Sequence, residues 1–293
     1  MKQLKRFAGI AVLVITAAAF FYYLRGHPDL VGGLRHIRTT TLLAIIALYG
    51  ATLGVLVLIY DTTLKLCKQS IPLKEHVLLT MYSSIANFFG PLQSGPGVRL
   101  VYLKQRHGVR LRNYAMATFA YYILFGVLSG LFLLTGVRQW REVLGLLSVV
   151  ILVAGGLMIA TKKTRQVFRI REQYSVKLIG RLAVLTLLQV LLVAVIYFTE
   201  LRAIDDRINF SQAIIYTGAA NFALFVSLTP GALGFRESFL FFSQKLHHID
   251  GSTIIAANVV DRAVYVVFLG ILLVVIMAVH GKDRLGIKQQ SLK

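Results

Sequence analysis

The stretch NFALFVSLTPGALGFRE, residues 221–237, interrupts an otherwise apolar run and sets the architecture of the chain. Thr229-Pro230 ends one apolar segment, Gly231 and Gly234 follow, and the adjacent charges Arg236 and Glu237 precede a second apolar segment, SFLFF. Proline removes a backbone donor and stops a helix, while glycine permits a sharp reversal. Inside a bilayer such broken backbone is tolerated only within protein or beside a water-filled cavity. The stretch therefore reads as a helix–break–helix hairpin dipping into the membrane, with Arg236 and Glu237 near its turn.

Composition places that hairpin in a polytopic membrane protein. Of the 293 residues, 57% are hydrophobic, and mean hydropathy is +0.71. Soluble domains run at about 45–50% apolar, so the whole of 1–293 is expected to form a single integral membrane domain. The formal net charge of +20, from 32 Lys+Arg against 12 Asp+Glu, falls mainly between apolar runs. That placement fits the positive-inside rule and contact with anionic lipid headgroups, and argues against nucleic-acid binding. The single cysteine, Cys67, excludes an intramolecular disulfide. The seven histidines have no metal-ligand spacing, so no metal and no cofactor are expected.

Apolar runs near the ~20 residues needed to span lie at 7–24, 42–60, 115–135, 143–160, 178–198 and 254–280. The first follows a basic start, but its apolar run is too long for a cleaved signal peptide, so it is read as a retained span. A second hairpin candidate occupies 77–109, where an apolar helix runs into GPLQSGPGVRLVYLKQRHG. Its breaks are Pro91, Gly95, Pro96 and Gly97; those of the opening stretch are Pro230, Gly231 and Gly234. Gly97-Val98-Arg99 aligns with Gly234-Phe235-Arg236 in the sequence. Each is preceded by two spans and followed by one, an internal repeat with halves at about 1–136 and 137–293.

The basic residues Lys162, Lys163, Arg165, Arg169, Arg171 and Lys177 are expected inside, as are Lys104, Arg106, Arg110 and Arg112. Both segments fall inside only if each hairpin enters and leaves by one face. Six spans and two re-entrant hairpins then make an inverted repeat, with both termini cytoplasmic. Such repeats, with broken helices near the midplane, are a transporter architecture.

Arg99 and Arg236 follow the breaks near helix starts, where free N–H groups and the helix dipole favour an anion and arginine adds a bidentate grip on phosphate. Snorkelling to the headgroup level is the competing reading. Glu237, Asp261 and Arg262 are charges within or beside apolar helix, and such charges face the protein interior. A structural pair such as Glu237 with Arg262 competes with a role in gating or proton coupling. Asn87, Asn221 and Asn258 sit near the breaks and are read as helix caps or headgroup contacts.

SLTPGALGFRE (227–237), NFFGPLQSGPGVRLVYLKQRHGV (87–109) and NVVDRAVYVVFLG (258–270) resemble signatures of the transmembrane-region family of lysylphosphatidylglycerol synthase, the flippase portion of the multiple peptide resistance factor. The resemblance implies a protein of the bacterial cytoplasmic membrane that translocates lipid, not an enzyme. In full-length relatives a separate soluble domain makes the aminoacyl lipid, so synthase activity is not expected here. Members often carry a carboxylate after the glycines of the first signature, where this chain has Val98. That departure favours an anionic, phosphate-bearing headgroup, on a phospholipid or prenyl-phosphate lipid, held by Arg99 and Arg236. An intramembrane lipid-modifying enzyme and a scaffolding membrane protein are the alternative readings.

Overall fold

The computed structural model describes residues 37–89, 94–137, 176–226 and 235–290, together with Tyr22 and Arg25. The expected span at 7–24 apart from Tyr22, that at 143–160, most of the basic segment 162–177, and the break residues Pro91, Pro230, Gly231 and Gly234 lie outside the described residues. Among the described residues all regular structure is helical. The helices are α1 (Thr39–Leu66), α2 (Leu73–Phe89), α3 (Gly95–His107), α4 (Leu111–Leu134), α5 (Val176–Ile204), α6 (Phe210–Val226), α7 (Phe235–Phe242), α8 (Gln244–His247) and α9 (Gly251–Gln290).

Among the described residues four segments are long and apolar enough to cross a membrane: Thr39–Leu66, Leu111–Leu134, Lys177–Ile204 and Gly251–Val279. They contain or closely match the spans expected at 42–60, 115–135, 178–198 and 254–280. The helices exceed the apolar runs because polar residues continue them once they are nucleated; Lys65 near the end of α1, for instance, pairs with Asp61 one turn back. At the C-terminus the difference is larger, since the basic residues from 281 onward continue α9 to Gln290 instead of forming a separate tail. Between 28% and 50% of each span's most apolar window is buried in protein. The outward faces carry Leu43, Val184 and Val274, each at least 60% exposed. A belt of large apolar side chains left uncovered around a helical bundle fits a lipid surround.

The two short helix pairs are antiparallel hairpins. At the tip of α2–α3, Ser94 Oγ donates to Ala86 O at 2.6 Å and Gly95 N–H donates to Asn87 Oδ1 at 2.7 Å. At its base, Glu75 in the first turn of α2 meets His107, the last residue of α3, at 2.7 Å. The α6–α7 pair follows the same course: Phe222 stacks on Phe239 at 5.7 Å, and Gln212 Nε2 donates to His247 O at 3.1 Å. The return arm differs, because Ser243 divides it into the eight-residue α7 and the one-turn α8, whereas α3 is a continuous helix of 13 residues. Around each hairpin the described order is long helix, hairpin, long helix.

Gly95, Pro96 and Gly97, expected in the break of the first hairpin, form the first turn of α3. Proline is accepted there because the first helical N–H groups have no intrahelical partner. The chain reverses before Gly95, and the steric demand falls on that residue alone: a Cβ on Gly95 would meet Asn87 Oδ1 and lie 2.5 Å from Ser83 O, whereas Gly97 has open space. Glycine also permits the close crossing of α6 over α4, where a Cβ on Gly218 would lie 2.7 Å from Ser129 O. Against these helices α5 and α9 pack a core that includes Ile196, Leu201, Tyr216, Ile254 and Val260.

Candidate functional site

Inside the bundle lies a cavity of about 260 Å³. Six tyrosines line it: Tyr49 and Tyr60 from α1, Tyr121 and Tyr122 from α4, Tyr197 from α5 and Tyr265 from α9. Both hairpins reach it, the first through Asn87 and the second through Asn221 and Arg236, while α9 adds Asp261 and Arg262. Five of the eight side chains singled out from the sequence as substrate-binding candidates therefore share one wall. Arg99, Glu237 and Asn258 do not line it.

The charges on that wall are paired. Arg236 Nη1 contacts Asp261 Oδ2, and Arg262 Nη2 contacts Glu237 Oε1. Each pair joins residues 25 apart, so two adjacent residues of α7 meet two adjacent residues of α9. Neighbouring residues point about 100° apart on a helix, which separates the environments of the pairs. The side chains of Arg236 and Asp261 are both 8% exposed, while those of Arg262 and Glu237 are 10% and 27% exposed. Tyr49 O–H donates to the other Asp261 oxygen, and the Arg236 guanidinium lies 4.9 Å from the centroid of the Tyr197 ring. The Arg262–Glu237 contact is the structural pair that the sequence offered against a gating role.

Arg99 departs from expectation. It does not share the cavity with Arg236; it faces a recess of about 10 Å³ with His76, Thr80 and Tyr114. Tyr60 lines both spaces, and the Arg99 guanidinium covers its ring at 3.2 Å from the centroid. Arg99 is 2% exposed, and among the described residues its three guanidinium nitrogens have no hydrogen-bond partner. Neither hairpin arginine snorkels: Arg236, at 6% exposure, is as enclosed as Arg99. The α2–α3 and α6–α7 hairpins hold both guanidinium groups inside protein, where cation–π contact replaces part of the lost hydration.

The asparagines divide. Asn87 caps α3 through the Gly95 N–H and also lines the cavity. Asn221 is 1% exposed and faces the cavity, with no partner for its Nδ2 among the described residues. Asn258 turns away and donates to Ile254 O at 2.8 Å and to the Tyr216 hydroxyl at 3.3 Å.

The tyrosine lining and Gln189, which accepts from Tyr121 O–H at 2.9 Å, escaped sequence reading, because single aromatic or amide residues in an apolar helix carry no periodic mark. Glu200 was missed too. It sits near the end of α5, where a carboxylate is ordinarily an interfacial residue, yet it is 1% exposed. The thiol of Cys67, beyond the end of α1, is pushed up to about 11 by burial and donates to Thr63 O at 3.3 Å, as befits an unreactive cysteine.

Residues 6–272 match the family described as the lysylphosphatidylglycerol synthase TM region. No curated protein matches the chain.

Proposed function

The chain belongs to the lysylphosphatidylglycerol synthase transmembrane-region family, and from that premise we propose that it moves a polar-headed, phosphate-bearing lipid across the bacterial cytoplasmic membrane. The observation that carries this reading is one cavity, among the described residues, that both hairpins reach, with charged and amide groups set in a largely apolar lining. A headgroup would cross there while its acyl or prenyl chains stay in the bilayer. Buried polar groups within a membrane bundle ordinarily serve such a path.

The hairpin arms fit re-entry. At ~1.5 Å per residue, the 17 residues of α2 reach only about 26 Å and the 13 of α3 about 20 Å, short of a ~30 Å hydrocarbon core. The α6 arm also has 17 residues, and α7 has eight. With the basic segments inside, the first hairpin opens to the cytoplasm, the second to the outside, and both termini are cytoplasmic. The two halves then form an inverted repeat around the cavity.

Arg236 is the headgroup contact in this scheme, and binding exchanges its Asp261 partner for phosphate. Turning the Tyr60 ring would join the Arg99 recess to the cavity and bring the second guanidinium to the same anion. Asp261 is engaged by both Arg236 and Tyr49, which favours this role over that of a free catalytic base.

The test is lipid movement in proteoliposomes carrying a fluorescent phosphatidylglycerol. Vesicles with the protein should exchange the probe between leaflets faster than protein-free vesicles. Asn221→Leu should slow exchange roughly tenfold or more, the equivalent of about 1.5–3 kcal/mol for a lost hydrogen bond to a charged group. Its Nδ2 has no partner among the described residues, so no hydrogen bond of that nitrogen is lost and stability should be retained. Exchange no faster than in protein-free vesicles would reject the transport reading.

A further inference from the structure

Behind the cavity wall is a second carboxylate. Glu200 of α5 is 1% exposed, and its Oε1 has no hydrogen-bond partner among the described residues. It stands one helical turn after Tyr197, whose ring centroid lies 4.9 Å from the Arg236 guanidinium, so Glu200 neighbours the Arg236–Asp261 pair. Around it also stand Tyr49 of α1 and Tyr216 of α6. Among the described residues Arg236 is the cation that acts on it, and that cation is already bonded to Asp261 through Nη1. The Arg236 Nε also has no partner among the described residues.

We propose that Glu200 and Asp261 form a proton-exchange site in which two carboxyl groups share one guanidinium and one proton. The charge count carries the argument. With both carboxyl groups ionised, one negative charge would remain uncompensated in an enclosed site, a state costing several kcal/mol. With one proton added, the cluster of Glu200, Asp261 and Arg236 is neutral. Asp261 already accepts from Tyr49 and Arg236, so the proton resides on Glu200 while that pair is closed.

When Arg236 leaves Asp261 for Glu200, the proton leaves the Glu200 carboxyl and Asp261 takes one up, so the cluster stays neutral. Glu200 lies four residues before the end of α5 at Ile204, and the turn that follows carries the exposed Asp206 and Arg207. In this proposal the proton passes to water at that end of the helix. Coupling of proton exchange to lipid movement rests on the transport reading; the existence of the site does not.

Infrared spectroscopy of the purified full chain at neutral pH tests the site without any lipid assay. The wild type should show the C=O stretch of a protonated, weakly hydrogen-bonded carboxyl group. Glu200→Gln should remove the band and Glu200→Asp should shift it, while Glu75→Gln should leave it in place. Glu200→Gln should also melt within error of the wild type, since an amide replaces a neutral acid. Absence of the band in the wild type, or its survival in Glu200→Gln, would overturn the proposal. So would a large loss of stability in Glu200→Gln, which would mark an ionised Glu200 paired with Arg236. If the band behaves as expected and proteoliposomes still move no lipid, the transport reading alone fails.

Discussion

Arg236 and Asp261 meet across the contact between α7 and α9, each with 8% of its side chain exposed, so the return arm of the second hairpin and the last long helix are joined by a buried ion pair. Removing one partner from such a pair leaves an uncompensated buried charge, whereas replacing both with apolar groups of similar volume is often neutral or stabilising. A solvated site arginine would be lost at little expense to the fold; this one would not. Arg236→Ala should destabilise the protein by about 3–5 kcal/mol, and Asp261→Ala by less, because Glu200 can ionise to meet the freed guanidinium. Arg236→Met combined with Asp261→Leu should recover most of that loss. Thermal melting in detergent measures all three, and single variants as stable as wild type would contradict the buried pair.

Gly95 is the tightest point of the first hairpin. A methyl group there would meet Asn87 Oδ1 and lie 2.5 Å from the backbone oxygen of Ser83. Because a backbone atom cannot rotate away, Gly95→Ala should cost about 1–3 kcal/mol, in the range of overpacking. Gly97→Ala, with open space around it, should be tolerated. Equal melting temperatures for the two variants would remove Gly95 as the steric determinant of the turn.

The base of the same hairpin is closed by Glu75. Burial raises its carboxyl, but hydrogen bonds from Tyr102 and His107, with the charges of His107 and Arg106, outweigh burial and hold it below its ordinary value of 4.5. A depressed carboxyl contributes stability that is fully present above the unfolded value and is lost as pH falls through the folded one. Hydrogen exchange in α3 should therefore be slower in wild type than in Glu75→Gln at neutral pH. The difference should disappear on acidification below about pH 4.5. A difference that persists unchanged in acid would show that the clamp does not depend on the Glu75 charge.

Topology can be read by cysteine labelling. The native Cys67 should stay silent near neutral pH, because burial keeps its thiol protonated. Arg110 and Asp206 are both exposed. Arg110→Cys and a cysteine placed within 162–177 should react only with a reagent reaching the cytoplasm, and Asp206→Cys only from outside. Labelling of Arg110→Cys and Asp206→Cys from the same side would overturn the inverted-repeat arrangement.

The sequence by itself determined the membrane class, four of the long helices, both hairpin arms and the family. Apolar length, helix-breaking residues and charge placement are local properties, and each leaves a mark within a window of about 20 residues. It also marked Asn87, Asn221, Arg236, Asp261 and Arg262 as candidate site residues, and these five line the cavity, whereas Arg99, Glu237 and Asn258, marked with them, do not. The sequence offered Glu237 with Arg262 as one pair; only the tertiary structure showed that Arg236 pairs with Asp261 beside it. Both pairs join residues 25 apart, one on α7 and one on α9, so it is the packing of the two helices that brings Arg236 to Asp261 and Glu237 to Arg262. The separation of Arg99 from Arg236 was equally invisible, since it depends on one ring, Tyr60, standing at the edge of both spaces. Glu200 reads as an interfacial carboxylate until α1, α6, α7 and α9 close around it. Burial is a property of the packed assembly of helices, and no single helix carries it.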